Sequence, residues 1–158
     1  MKLHKIMSGG QTGADLTALE EATRIGLETG GWCPNHCRTE TGPNWDLVNK
    51  YGLKETPTFD YQPRTRLNVR DSDTTLWFGN IGSPGYWCTL NACGQHGKTL
   101  YSNPSDEVLR SIADQYEIVN VAGNRASTNP GVVELVRKAF KVWEKMNPEE
   151  AAMIVGFV

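Results

Sequence analysis

Two stretches of the chain carry residue types that could do chemistry. Ser8-Gly9-Gly10-Gln11-Thr12-Gly13-Ala14-Asp15 brings three glycines close to a carboxylate, and Gly79-Asn80-Ile81-Gly82-Ser83-Pro84-Gly85 brings three more. Glycine lets the backbone approach an anion without a Cβ in the way, and the free amides at a helix start attract negative charge. The chemistry implied is phosphate binding. The spacing departs from GxGxxG and from the P-loop, which needs Gly-Lys-Ser/Thr where this chain has Gly13-Ala14-Asp15. A tight strand-to-helix turn that binds nothing explains the first set of glycines equally well. Between the two loops, Arg64, Arg66 and Arg70 fall within seven residues, with Arg64 and Asn68 on one helical face. Such a face meets a phosphate or carboxylate, or is a solvated charged surface.

Both loops need the same supports. Leu3 to Met7 has strand character, and Leu16, Leu19, Ala22 and Ile25 recur at helical spacing. We expect a helix over 14–25 that starts with a capping box from Thr12 to Asp15 and stops at Gly26. The second loop comes after a strand over Thr74 to Phe78, rich in β-branched and aromatic residues, and precedes a helix over about Tyr86 to His96. In an open parallel sheet, ligands sit beyond the carboxyl ends of the strands where strand order reverses. One shared site is the expectation.

The remaining segments extend the alternation. Leu27 to Pro34 reads as a short strand, and residues 35–63 as a long irregular segment. Lys98 to Ser102 is a strand, Pro104 opens a helix through Tyr116, and Ile118 to Ala122 is a further strand. The last helix takes Asn129 as N-cap and Pro130 as its first residue, with Val132, Val133, Leu135, Val136, Ala139, Phe140, Val142, Trp143 and Met146 as its buried stripe. The apolar end, Ala151 to Val158, reads as core or subunit interface. The fold class is α/β: a single Rossmann-like domain over 1–158, a mostly parallel sheet with helices on both faces.

Composition narrows the function. The 158 residues include 16 basic and 18 acidic ones, a net charge of −2, with no Lys/Arg run to grip nucleic acid or a membrane surface. No stretch reads as a signal peptide or membrane span, so the expectation is a cytoplasmic protein. Cys33/Cys37 and Cys88/Cys93 lie near His36 and His96. Their spacing is not the usual zinc spacing, and reduced thiols are expected rather than a metal site.

Ser8 to Asp15, Gly30-Gly31-Trp32-Cys33-Pro34, Arg64-Thr65 with Asn68 to Asp73, and Asn120 to Arg125 together resemble the molybdenum-cofactor carrier family. That family is similar to a branch of the SLOG superfamily, whose Rossmann-like domains bind nucleotides or nucleotide-derived ligands and include cytokinin-activating phosphoribohydrolases. The resemblance covers almost the whole chain. It implies a homo-oligomer, a dimer or tetramer, with a site made by the first glycine loop and the loop around Gly82 to Thr89. The phosphoribohydrolase loop Pro-Gly-Gly-x-Gly-Thr-x-x-Glu is matched at Pro84, Gly85 and Thr89. Tyr86 and Cys88 replace two glycines, and the acidic pair falls on Asn91 and Ala92. An amide cannot act as a general base, so the expected carboxylate chemistry is missing.

The expected function is therefore non-catalytic binding of a small, phosphate-bearing anion, either the molybdenum cofactor or a nucleotide derivative. The residues expected to hold it are Gly9, Gly10, Gln11, Thr12, Gly13 and Asp15 of the first loop; Trp32, Arg64, Asn68 and Asp71 between the loops; Ser83, Gly85 and Thr89 of the second; and Asn124 and Arg125 after the last strand. Trp32 would stack on a ring, and Arg64 or Arg125 would neutralise charge. The alternative is a nucleoside-monophosphate phosphoribohydrolase in which Asp15, Asp71 or Asp73 replaces the missing glutamate.

Overall fold

The computed structural model describes residues 1–146. The expectation for Ala151 to Val158 lies outside the described residues. The strands are β1 (Lys5–Ser8), β2 (Glu28–Gly30), β3 (Trp32–Cys33), β4 (Arg38–Thr39), β5 (Gly42–Pro43), β6 (Lys54–Glu55), β7 (Thr74–Phe78), β8 (Leu100–Ser102) and β9 (Ile118–Gly123). The helices are α1 (Ala14–Arg24), α2 (Asp46–Asn49), α3 (Tyr61–Arg70), α4 (Pro84–Gln95), α5 (Asp106–Gln115) and α6 (Val132–Met146).

Five of the strands form one sheet in the order β2-β1-β9-β7-β8, parallel throughout. β9 thus lies between β1 and β7, pairing Met7 with Asn120 on one side and Leu76 with Val121 on the other. Alternation along these strands sends Ile6, Leu76, Phe78, Val119 and Val121 into one core with α1, α5 and α6. Trp143 of α6, fully buried, donates its ring N–H to the Leu109 carbonyl of α5 at 2.9 Å. The helices α3 and α4 pack together, with Val69, Ala92 and Cys93 between them. The α/β, Rossmann-like expectation holds.

Several boundaries move. The last helix begins at Val132 rather than Pro130, and the Asn129 side-chain N–H goes to the Asn124 amide oxygen. Leu135 faces solvent at 43 % exposure and is not part of the buried stripe. In α5 the N-cap is Ser105, whose hydroxyl accepts from the Val108 N–H, so Pro104 stands outside the helix. Residues 35–63 are not irregular: β4, β5, α2 and β6 lie there, over a satellite core of Leu19, Cys33, Cys37, Leu47, Tyr51 and Leu53. Elements of two to four residues are too short to show a period.

All four cysteines are free thiols, and three are buried. Burial pushes the Cys33 thiol up to about 12. Among the described residues no group of three His, Cys, Asp or Glu side chains could hold a metal ion. No described helix is long and apolar enough to cross a membrane.

Candidate functional site

A cavity of about 450 Å³ opens beyond the carboxyl ends of β1, β9 and β7, the point where the strand order reverses. Each strand delivers its succeeding loop to the wall. β1 gives Gln11 and Asp15, β7 gives Trp77 and then Ser83, Pro84 and Gly85, and β9 gives Ala122 to Arg125 with Ser127 and Thr128 beyond. The start of α3 closes the wall with Tyr61, Gln62, Arg64 and Thr65.

The first loop is tightly filled by the protein itself. Four of its amides are already paired: Gly10 N–H with the Ser8 hydroxyl, Gln11 N–H with the Asp15 carboxylate, Thr12 N–H with the Gln11 side-chain oxygen, and Ala14 N–H with the Asn124 carbonyl. The glycines admit protein atoms. A Cβ on Gly9 would land on the Arg64 guanidinium, one on Gly10 on Leu47, and one on Gly13 on the Asn124 and Ala126 backbone. The capping box expected from Thr12 to Asp15 does not form. Gly13 is the N-cap, Thr12 points its hydroxyl at Glu40, and Asp15 reaches back to Gln11 instead.

Three groups in this wall have electrostatic character. Burial pushes the Asp15 carboxyl up to about 6, against the pull of Arg64, the Gln11 amide and Arg125. Arg64 Nη1 lies 3.4 Å from Asp15 Oδ2, while Arg64 Nε is buried without a partner among the described residues. The Gln11 amide has a fixed orientation, because its oxygen accepts from both Thr12 N–H and Glu40 N–H. Its Nε2 therefore points the other way, and it too is buried with no partner among the described residues. Tyr61 gathers cations: the guanidiniums of Arg38, Arg125 and Arg64 lie 4.6, 4.9 and 5.3 Å from its ring centre.

The second loop is more open. Ser83 caps α4 by accepting the Tyr86 N–H at 3.2 Å, and Pro84 sets the first helical residue. Gly85 then sits in the first turn, where a helix leaves its N–H groups without intrahelical acceptors. Thr89 is buried and spends its hydroxyl on the Gly85 carbonyl. A Cβ at Gly82 would meet open space. Asn124 joins this loop to β9 by accepting the Asn80 N–H at 2.6 Å.

Of the expected site residues, Gln11, Asp15, Arg64, Ser83, Gly85, Thr89, Asn124 and Arg125 line the cavity. Gly9, Gly10, Thr12 and Gly13 do not line it. Trp32, Asn68 and Asp71 do not line the cavity and are brought together with one another instead. Asn68 exchanges two hydrogen bonds with the Trp32 backbone, and the Trp32 ring N–H goes to Asp71, which Arg70 also holds. They brace β3 against α3. Sequence reasoning missed Tyr61, Trp77, Cys88 and Ser127. Tyr61 stands three residues before Arg64, one helical turn away, and that spacing is the signal that could have found it.

A parallel sheet with glycine loops meeting at its switch point defines a Rossmann-like domain. More narrowly, the chain belongs to the circularly permutated YpsA SLOG family, whose model matches residues 6–143. Its fold is similar to the crystal structure of a candidate molybdenum carrier protein from Syntrophus aciditrophicus SB. The TM-score is 0.79 at 32% identity, over 89% of this chain and 94% of that one. No curated protein matches.

Proposed function

We propose that the cavity binds a phosphate-bearing small molecule, the molybdenum cofactor or a nucleotide derivative, as cargo rather than as a reactant. The observation that carries this reading is the pair of buried donors, Gln11 Nε2 and Arg64 Nε, that have no partner among the described residues and share one wall. A buried donor without an acceptor costs about 1–3 kcal/mol, and a ligand oxygen removes that cost. Arg125 and the Gly85 amide supply further positive potential. Phosphate would lie against Arg125, and the polar ring against Gln11 and Asp15. A cavity of about 450 Å³ suits a ligand of nucleotide size. The likeness to a candidate molybdenum carrier supports the cofactor as one of the two cargoes.

Native mass spectrometry of the purified protein identifies the retained ligand, and calorimetry with AMP and with molybdopterin measures affinity. Arg125→Gln is expected to weaken binding about 30-fold, roughly 2 kcal/mol. Unchanged affinity in that variant, or no binding of either compound, would overturn the reading.

One observation favours a second reading, hydrolysis of nucleoside monophosphates. Of the three acids considered, Asp71 is held by Arg70 and Trp32, and Asp73 by the Glu117 and Ile118 amides. Asp15 alone of these faces the cavity, and a carboxyl titrating near 6 can exchange a proton at working pH. Release of ribose 5-phosphate from AMP, abolished in Asp15→Asn, would support it; no turnover with binding intact would sink it.

A further inference from the structure

Glu40 stands at the tip of the β4–β5 hairpin, yet its carboxylate lies against the first glycine loop. One oxygen accepts from the Thr12 hydroxyl and the Ser127 N–H, and the other from the Ser127 hydroxyl. Three donors from two separate loops thus converge on one carboxylate. The Ser127 and Thr12 hydroxyls hold that carboxyl below the usual range, with Arg125 adding its charge. Thr12 Oγ1 in turn accepts the Ala126 N–H, so the group is fixed from behind.

One of the two donor residues, Ser127, belongs to the cavity, and Thr12 lies next to Gln11, which does too. Arg125 is also part of its wall. Gln11 takes the Glu40 N–H on its oxygen while its buried Nε2 has no partner among the described residues. The residue that fills the group is carried by a light element. Each hairpin strand has two residues, and the turn is braced internally by Thr39 bonds to Gly42 and Thr41. Glu40, Thr41 and Gly42 bring no large apolar side chain to anchor the tip, so it is held chiefly by the bonds of Glu40 and its amide.

We propose that Thr12 and Ser127 form an oxyanion seat at the cavity rim, and that Glu40 is its resident occupant, displaced when a phosphate-bearing ligand enters. This rests on the ligand reading above. A phosphate offers three oxygens and more charge than a carboxylate, so it satisfies the same donors and reaches Arg125 as well. Entry of the ligand would free the hairpin. Glu40 thereby acts as a built-in competitor that lowers affinity for weak anions and couples occupancy to the position of residues 38–43.

The test measures binding of orthophosphate and AMP by calorimetry to wild type and Glu40→Gln, which keeps the size and removes the charge. Glu40→Gln is expected to bind both about tenfold more tightly, as loss of one competing charged hydrogen-bond set implies. Ser127→Ala is expected to weaken both. In the wild type, hydrogen exchange of amides 39–42 is expected to speed up on saturation with AMP, a readout that needs no variant to fold. Equal or weaker binding by Glu40→Gln, or slower exchange with AMP, would overturn displacement and leave ligand binding standing. No binding by wild type or variant would overturn the ligand reading itself, and this inference with it.

Discussion

The loop after β1 and the loop after β7 have similar compositions but differ in what occupies them. The first is packed from every side: Arg64, Leu47 and the Asn124 to Ala126 backbone press on its glycines, and four of its amides have partners within the protein. The second meets solvent at Gly82 and presents Ser83 and Gly85 to the cavity. Glycine serves close packing in one and an open helix start in the other. Glycine-rich sequence therefore reports that something comes near the backbone, without saying whether it is ligand or protein.

The contrast is sharpest in stability. Gly13 and Gly82 both have positive φ, but an added Cβ at Gly13 would sit 2.4 Å from the Asn124 carbonyl oxygen, whereas Gly82 has room. Gly13→Ala is expected to cost at least about 4 kcal/mol and Gly82→Ala about 1 kcal/mol in urea denaturation. Similar losses would break the comparison.

A pH effect comes next, and it belongs to the first loop. The Asp15 carboxyl holds its proton up to about 6 when folded, against an ordinary value of 3.8. The folded state binds this proton more tightly between these values, so the contribution of Asp15 to stability is fullest below about pH 4 and is lost as pH rises through about 6, by on the order of 3 kcal/mol. In Asp15→Asn that part of the slope should vanish. A slope that persists unchanged would assign it to other groups. The smallest effect falls on the second loop, where Ser83→Ala removes the α4 cap and is expected to cost about 1 kcal/mol in the same denaturation assay. A loss near zero would show that Pro84 alone fixes the helix start.

What the sequence disclosed depended on how far apart the interacting residues lie. β7 was legible at both ends because Thr74 to Phe78 is a buried run of β-branched and aromatic residues. The convergence of the two loops was legible in the alternation of strands and helices. At Trp32 the sequence shows an aromatic beside glycines but not its partners: its ring N–H is committed to Asp71 and Lys54 lies over its face. Glu40 carried no signal at all. Its partners, Thr12 and Ser127, lie 28 and 87 residues away in the chain, and no local period encodes such a meeting. The same distance hid the filling of the first loop by Leu47, Arg64 and Asn124.

The position of β9 bears on how the molecule is made. Residues 118–123 insert between β1 and β7, so the unit β1-α1-β2 and the unit β7-α4-β8 share no strand pairing until β9 arrives. On the ribosome, both inner strand edges stay open until β9 has emerged, and pairings of such long sequence separation form slowly. Ala122 to Arg125 line the cavity. Closing the sheet and completing the site are therefore one event, and a chain arrested before residue 118 would expose two unpaired edges with no pocket to show for them.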